Sequence, residues 1–246
     1  MLRARGFRVT LKPNIGSSEI VDKTLLGGTI DLYPEYTGVV VGVLQGSTAR
    51  LRSAREAYAR AKAFEAGRGM EMLQHSPFSD ALAVAVTPAT ARRYRLRTVG
   101  DLRRLGPFRF GGAPENRTRF QGLVGMRQAY GLTNARYLTI PLGTQYRALD
   151  SGRAHAVNVL TTDGQLREDR YVVLADPKGI FGYQNVAPVV RRGVLDREGP
   201  RFARTLNTVT RLLTQRAMQQ MNGAVDIDHR RPAAVAREFL RAHGLL

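Results

Sequence analysis

The side chains that most often do chemistry are few and scattered in this sequence. The four histidines, His75, His155, His229 and His243, stand singly, so none forms the closely spaced pair that a histidine metal site uses. The run Asp226-Ile227-Asp228-His229 contains metal-ligand types, but we prefer to interpret it as a short acidic loop between helices. The sequence therefore predicts no metal site.

The carboxylates and possible nucleophiles do not indicate a catalytic site either. Asp31 and Glu35 lie four apart across Pro34, so a catalytic carboxylate pair is one interpretation. The preferred one ends a strand at Asp31 and places Glu35 on a loop. No nucleotide-binding Gly-x-Gly-x-x-Gly, Walker A lysine or Gly-x-Ser-x-Gly occurs, and cysteine is absent. We expect neither an enzyme nor a bound cofactor.

The charge balance is strongly basic, with 38 lysines and arginines against 20 acidic residues and a net charge of +18. Such a balance is typical of proteins that bind nucleic acid or anionic membranes. However, only four of the 38 are lysines, and the arginines are spread along the whole chain, most densely between Arg92 and Arg104. We favour a background arginine bias and expect no nucleic-acid partner; a basic nucleic-acid-binding protein is the less favoured alternative.

The length of 246 residues and a hydrophobic share of 43% are typical of a globular chain with one large domain or two lobes. No apolar run approaches the ~18 residues of a membrane helix; the stretch from Leu32 to Leu44 is interrupted by proline, glutamate and glycines. Residues 1–6 have no apolar core, so no signal peptide is expected at the start of this chain.

Hydrophobic periodicity and capping residues predict the elements that position any site. Strands are predicted at residues 7–11, 29–33, 70–73, 81–87, 108–111, 137–140, 154–160, 171–174 and 185–191. Helices are predicted from Gly16-Ser17-Ser18-Glu19 to Leu26 and at residues 53–66, 98–105, 119–130, 145–151, 200–221 and 232–243, and Pro34 predicts a loop over 34–38. Short strands alternating with helices favour parallel βαβ units and an α/β fold.

Five runs, in this order, carry a resemblance to a known family. They are residues 16–23 (Gly-Ser-Ser-Glu-Ile-Val-Asp-Lys), 28–38 (Gly-Thr-Ile-Asp-Leu-Tyr-Pro-Glu-Tyr-Thr-Gly), 160–166, 185–191 and 221–240. Together they closely resemble the substrate-binding proteins of osmoprotectant ABC importers, the glycine betaine, choline and carnitine family. The likeness covers nearly the whole chain.

The resemblance implies a type II periplasmic-binding-protein fold, with two α/β lobes joined by two crossing strands and the ligand in the cleft between them. Lobe 1 would comprise residues 1–84 plus 188–246, and lobe 2 residues 85–187. Relatives begin with one more strand and helix, preceded by a leader. The first strand–helix unit is therefore expected to be missing from this chain.

The implied function is an extracytoplasmic solute-binding protein that delivers an osmolyte to an ABC permease and its ATPase subunits. It would act in the periplasm or on the extracytoplasmic side of the membrane, with membrane contact only through the permease or a missing anchor. A ligand-sensing domain of the same fold, in a regulator or a permease fusion, is the alternative.

The resemblance also implies site residues. A trimethylammonium group has no N–H to donate, so aromatic faces hold it by cation–π attraction. Tyr36 matches a cage tyrosine of the family, and Arg119 matches its carboxylate-binding arginine, with Arg117 as the fallback. The N-terminus of the helix that Ser17 and Ser18 open presents N–H groups to anions, although both serines are helix caps first.

Other cage positions depart from the family pattern. Asp80 and Leu160 stand where the family has aromatic residues, and Gln184 stands where it has a tyrosine, although Tyr183 adjoins it. Asp80 is interpreted either as a charge partner for a cation or as a turn cap. Tyr183 is either a ring of the cage or a surface residue, and Thr162 is either a ligand contact or a hinge residue.

Overall fold

The computed structural model describes residues 1–141 and 143–246, which divide into two compact units. The first unit comprises Met1–Ser79 and Tyr183–Leu246, and the second comprises Asp80–Gly182. These boundaries follow residues 79 and 182, whereas the resemblance implied boundaries after 84 and 187. Each unit contains its own sheet.

The helices and strands have the following bounds. The α-helices are α1 Ser18–Leu26, α2 Thr37–Val39, α3 Ala54–Ala66, α4 Pro88–Tyr94, α5 Gly125–Tyr130, α6 Gln145–Asp150, α7 Arg192–Glu198, α8 Pro200–Leu212, α9 Gln215–Asp226 and α10 Pro232–Ala242. The strands are β1 Leu32–Tyr36, β2 Met70–Met72, β3 Leu82–Val86, β4 Phe108–Gly112, β5 Ala135–Thr139, β6 Ala156–Leu160, β7 Val172–Leu174 and β8 Val186–Arg191. Single 3-10 or π-helical turns occupy Arg3–Arg5, Val40–Leu44, Val99–Leu105, Pro114–Arg117, Phe120–Val124 and Gly164–Asp169. Among the helices of the described residues, none is both long and apolar enough to cross a membrane.

The sheet of the first unit has the order β1-β8-β2, and both of its pairings are antiparallel. The predicted parallel pairing is therefore wrong for this sheet. The strands β1 and β2 run in the same direction, as a βαβ unit requires, but the late strand β8 lies between them and takes both sets of hydrogen bonds. The periodicity of a sequence does not indicate which strands become neighbours in a sheet, so this insertion could not be predicted from it.

Pro34 lies within β1, so the predicted loop over residues 34–38 is wrong at its start. Pro34 pairs directly with Pro188 of β8. Opposite residues of an antiparallel pair exchange either two N–H···O bonds or none, and two prolines fit only the second kind. β1 is also an edge strand, where proline is tolerated. The strand therefore continues to Tyr36.

The strand predicted at residues 7–11 is also wrong, because these residues are in coil. Their alternation has a different cause. The ring of Phe7 packs edge-on against Phe202, with centroids 5.1 Å apart. The guanidinium of Arg3 donates to the carbonyl of Val9 at 2.7 and 3.1 Å. The segment is thus held by the half-buried ring of Phe7 and the side chain of Arg3 instead of a strand partner.

Apolar side chains pack on both faces of the first unit's sheet. One cluster includes Leu25 of α1, Val40, Ala61 of α3 and Met72 of β2. The other joins Leu73 and Val190 to Val194 and Phe202. Helices α1, α3, α7 and α8 are therefore fixed to the sheet by apolar burial, which stabilises by about 25 cal/mol per Å².

The start of α3 predicted at Ser53 is confirmed, with Ser53 as its N-cap residue. The hydroxyl of Ser53 accepts from the backbone N–H of Glu56 at 3.1 Å, and the carboxylate of Glu56 accepts from the N–H of Arg52 at 2.9 Å. The helix predicted over 200–221 is instead broken between α8 and α9. Thr214 caps α9 by accepting from the N–H of Ala217 at 3.2 Å, a stop without glycine or proline.

The sheet of the second unit has the order β5-β4-β6-β3-β7. Strands β5, β4 and β6 are parallel, as predicted, whereas β3 pairs antiparallel with both β6 and β7. Its core includes Phe108, Phe110, Met126 and Leu132 on one face. The other face carries a second cluster that includes Ile140, Tyr146 and Val157.

A charged cluster is buried beneath the first unit's sheet. The guanidinium of Arg68 donates to both carboxylate oxygens of Asp22 at 2.9 and 2.7 Å and to Glu65 at 2.7 Å. The side chains of Asp22 and Glu65 are 9% and 0% exposed. One arginine therefore compensates two carboxylates that have almost no access to water.

Replacing Arg68 by methionine should lower the free energy of unfolding by about 3–5 kcal/mol at pH 7, because two buried carboxylates lose their cation. Arg60→Met is the matched control, since Arg60 pairs with Glu56 at 2.8 Å on the surface and should cost at most ~1 kcal/mol. Urea unfolding followed by circular dichroism measures both. Similar losses in the two variants would contradict the role given to Arg68.

Candidate functional site

In the first unit, α1 begins at the predicted serines. Ser17 occupies the N-cap position and is exposed, while Ser18 is half-buried in the first turn. The expectation that both serines cap the helix is wrong for their side chains, because no hydroxyl among the described residues accepts a capping bond from the backbone at this helix start. The hydroxyl of Ser17 bonds to the Glu19 carboxylate and lowers its pKa. The hydroxyl of Ser18 bonds instead to the carboxyl group of Glu35. The two serines thus serve different carboxylates at the start of one helix.

Glu35 is a buried strand residue and not the loop residue expected from the sequence. It is 3% exposed, and burial raises the pKa of its carboxyl group. Hydrogen bonds from the backbone N–H of Tyr36, at 2.7 Å, and from Ser18 act in the opposite direction. Asp31 precedes β1 and is exposed, so the alternative of a catalytic carboxylate pair gains no support.

The run Tyr33–Gly38 forms the end of β1 and the start of the next helix. Tyr36 is half-buried at the last position of the strand. The buried Thr37 donates its backbone N–H to the carbonyl of Asn185 at 2.9 Å and its hydroxyl to that of Tyr183 at 3.3 Å. A Cβ at Gly38 would lie 2.6 Å from the carbonyl oxygen of Tyr183, so only glycine fits there. These contacts bring the segments of Tyr36 and Tyr183 together.

Tyr183 is held by both its backbone and its side chain. Its phenol donates to the backbone carbonyl of Arg52 at 2.9 Å, and the residue is half-buried. The next two residues are fixed as well. Ser79 accepts from the N–H of Gln184 at 2.9 Å, and the side-chain amide of Asn185 donates to the carbonyls of Ser76 and Phe78 at 3.1 and 2.9 Å. The ring of Tyr183 therefore has a defined position.

In the second unit, Asp80 and Thr162 lie together. The hydroxyl of Thr162 bonds to the carboxylate of Asp80, and Thr162 is 5% exposed. The neighbouring Thr161 accepts from the N–H of Ala81 at 3.1 Å. Asp80 precedes β3 and Thr162 follows β6, two strands paired so that Leu82 is opposite Leu160. The antiparallel pairing of β3 with β6 thus brings two predicted residues together.

Asp163 extends this polar group. Its Oδ2 accepts from the phenol of Tyr146 at 2.8 Å and from the N–H of Leu160 at 3.1 Å. Burial raises the pKa of Asp163, and the negative charge of Asp80 acts in the same direction. Burial likewise raises the pKa of Tyr146, which is 6% exposed, so its phenol keeps its proton. The group is therefore rich in oxygen acceptors.

A surface depression opens beside these residues. Its walls are formed by residues of β3, β4, β6, α6 and the segments around them, namely Leu82, Gly112, Ala113, Asn116, Ile140, Gln145, Asn158, Val159, Leu160 and Asp163. Sequence reasoning missed Gln145 and Asn158 as candidates. Asn158 could have been noticed, because it is a polar residue in the centre of the apolar strand Ala156–Leu160.

Arg119 lies elsewhere in the second unit. It is exposed and precedes the π-helical turn Phe120–Val124, and Arg117 is exposed as well. The helix predicted over 119–130 is interrupted at Gly122, whose φ and ψ of −124° and −134° are not helical. A Cβ there would lie 1.9 Å from the carbonyl oxygen of Asn116. Arg119 does not line the depression described above.

The structure therefore divides the predicted residues into two groups. Ser17, Ser18, Tyr36 and Tyr183 lie in the first unit, and Asp80, Arg119 and Thr162 lie in the second. Within the described part of the chain, no group of three or more histidine, aspartate or glutamate side chains could hold a metal ion.

Comparison with known proteins gives a consistent result. Residues 1–242 match the family described as the substrate binding domain of ABC-type glycine betaine transport systems. A glycine-betaine-binding protein of Pseudomonas aeruginosa is 32% identical over 100% of this chain and 82% of its own length. An ergothioneine transport permease/ergothioneine binding protein of Helicobacter pylori is 25% identical over 94% of this chain and 41% of its own length.

The solved structures agree with the sequence relatives. The structure of apo YehZ from Escherichia coli has a TM-score of 0.86 and 25% identity, and the match covers 100% of this chain and 92% of that one. Lactococcal OpuAC, at 15% identity and a TM-score of 0.58, shows the same fold. The prediction of a type II periplasmic-binding-protein fold is confirmed.

The buried carboxyl group of Glu35 should make stability depend on pH. Its pKa is raised in the folded protein, so its stabilising contribution is complete below its unfolded pKa and is lost as pH rises through the folded pKa. The substitution Glu35→Gln removes this loss. We therefore expect the variant to be more stable relative to wild type, with a larger free energy of unfolding, at pH 8 than at pH 5.

Urea unfolding at the two pH values measures this difference. The matched control is Glu56→Gln, because the pKa of the half-buried Glu56 is lowered from 4.5 by its bond to the N–H of Arg52. Its contribution is lost only as pH falls through that lower value, so its effect should be the same at pH 5 and pH 8. Equal pH dependence in the two variants would reject the assignment for Glu35.

Proposed function

The chain belongs to the family of substrate-binding domains of ABC-type glycine betaine transport systems, and we propose that it binds a compatible solute such as glycine betaine, choline or carnitine. The observation that carries this proposal is the family match over residues 1–242, nearly the whole chain. The solute would be delivered to an ABC permease with its ATPase subunits. Such delivery takes place on the extracytoplasmic side of the membrane.

The first unit supplies aromatic faces for a quaternary ammonium group. Tyr36 and Tyr183 belong to segments joined by the two hydrogen bonds of Thr37. Because the phenol of Tyr183 is bound to Arg52, its ring is held in place before a ligand arrives. A fixed ring loses little entropy on binding, which favours affinity. We propose that both rings contact the trimethylammonium group.

A permease fusion is the second candidate. The relative in Helicobacter pylori is named as both a permease and a binding protein, and this chain matches 41% of it. An immunoblot of the native protein separates the two cases. A product that remains in the membrane fraction after alkaline extraction and is much larger than 27.2 kDa would indicate a fusion.

A thermal-shift screen of glycine betaine, choline and carnitine tests the function itself. A ligand present at 100 times its dissociation constant should stabilise the protein by about 2.7 kcal/mol. Tyr36→Leu removes one ring but keeps an apolar side chain, so affinity for choline should fall by about 2- to 30-fold, which corresponds to ~0.5–2 kcal/mol. Tyr94→Leu, a change to a tyrosine on α4, is the control. Unchanged calorimetric affinity in Tyr36→Leu would exclude this ring.

We propose that Arg119 binds the carboxylate of a zwitterionic solute, since its guanidinium is exposed and can present two parallel N–H donors. Arg119→Ala should then weaken glycine betaine by about tenfold or more while choline, which has no carboxylate, changes little. Arg117→Ala is the matched control, since Arg117 lies two residues earlier and is also exposed. If Arg117→Ala shows the selective loss instead, the carboxylate belongs to that residue; equal losses for both solutes would reject the proposal.

A further inference from the structure

The depression of the second unit is lined by oxygen acceptors and not by rings. Its polar side chains are those of Asn116, Gln145, Asn158 and Asp163, and the other residues on its wall are aliphatic or glycine. Among these wall residues there is no lysine, arginine, histidine or aromatic residue. In a chain with a net charge of +18, such a surface is locally favourable for a cation.

Asn158 supplies the first acceptor. The residue is 5% exposed, and its Nδ2 donates to the carbonyl of Ala83 at 3.4 Å, which fixes the orientation of the amide. Its Oδ1 is buried and has no hydrogen-bond partner among the described residues. A Cβ at Gly112 would lie 2.8 Å from this oxygen. Because Gly112 lines the depression, the oxygen lies on that side of the strand.

Gln145 supplies a second acceptor by the same reasoning. Its side-chain amide bonds to the carboxylate of Asp163, whose pKa this bond lowers. An ionised carboxylate only accepts hydrogen bonds, so the amide NH₂ group faces Asp163. The Oε1 atom is left buried, without a partner in the described part of the chain. Two amide oxygens on one wall therefore lack donors.

Carboxylates complete the arrangement. Asp163 lies on the wall, and Asp80 is close enough to raise its pKa by charge repulsion. Buried acceptors without donors are costly, because they have lost their bonds to water. A cation that carries N–H groups relieves this cost and is attracted by the carboxylates. A quaternary ammonium group has no N–H and depends on aromatic faces, which this wall lacks.

We propose that this depression binds the cationic end of a solute that carries N–H donors, so that a protonated amine is preferred here, whereas the rings of Tyr36 and Tyr183 are the contacts proposed above for a quaternary ammonium group. The proposal rests on the solute-binding function proposed above and specifies the chemical class of the ligand.

Two matched pairs of solutes test the preference by isothermal titration calorimetry at pH 7. They are choline with N,N-dimethylethanolamine and glycine betaine with N,N-dimethylglycine; within each pair one N-methyl group is replaced by N–H and the charge is kept. The N–H member of each pair should bind about tenfold more tightly, because it satisfies an acceptor that the methyl group leaves unpaired. Using both pairs separates this effect from any contribution of the carboxylate.

Variants assign the preference to the depression. Asn158→Leu and Gln145→Met each remove one acceptor at similar volume, so the ratio of affinities within each pair should fall toward one. Gln128→Met is the matched control, because Gln128 is exposed on α5 and its loss should leave the ratio unchanged. Melting temperatures of the ligand-free variants report whether each one folds, and removal of an unpaired acceptor should not lower them by much.

The outcomes are distinct. If the quaternary member of each pair binds as tightly as its N–H partner or more tightly, this inference is overturned while the solute-binding function stands. A preference for N–H that persists in both Asn158→Leu and Gln145→Met would also overturn the assignment to this depression. If neither carnitine nor any of the four solutes binds, the proposed function fails as well.

Discussion

The first unit depends on the insertion of β8 between β1 and β2. This late strand provides every hydrogen bond of the three-stranded sheet, since β1 and β2 pair only with it. The same strand carries the segment just before it, Tyr183 to Asn185, to the end of β1. There the hydroxyl of the buried Thr37 donates to the carbonyl of Tyr183, and the absence of a side chain at Gly38 lets the two backbones approach closely. The placement of both candidate tyrosines follows from this one pairing.

The candidate residues of the two units differ in their chemistry. The first offers rings at Tyr36 and Tyr183, which suit a group without hydrogens on nitrogen. The second offers Asp163 and two amide oxygens, which suit a group with such hydrogens. Asp80 and Leu160, the positions where the resemblance implied aromatic residues, belong to the second unit as well.

Local signals in the sequence predicted most elements of the fold. The N-cap at Ser53 and the starts of α1 and α10 were predictable because each depends on residues within a few positions. The segment at residues 7–11 and the strand through Pro34 were not, since each depends on a partner far along the chain. For Phe7 that partner is Phe202, and for Pro34 it is Pro188.

In the candidate site, too, features that depend on distant residues could not be predicted from the sequence. The resemblance directed attention to Tyr36, Asp80 and Thr162, and the structure shows what holds each of them. It could not indicate the amide oxygens of Gln145 and Asn158, because an unpaired acceptor is a property of three-dimensional neighbours. The roles of Ser18 and Glu35 likewise emerge only from burial. A carboxyl group that the sequence places on a loop proves to be enclosed, with Ser18 as its partner.

The pairing of Pro34 with Pro188 has a consequence for behaviour at high concentration. In a pair without mutual hydrogen bonds, the backbone of Pro34 points away from β8, toward the free side of the edge strand. Proline has no N–H to offer there, so a strand from another molecule finds an incomplete ladder. Pro34 therefore protects this edge against strand pairing between molecules, and thus against aggregation through the sheet.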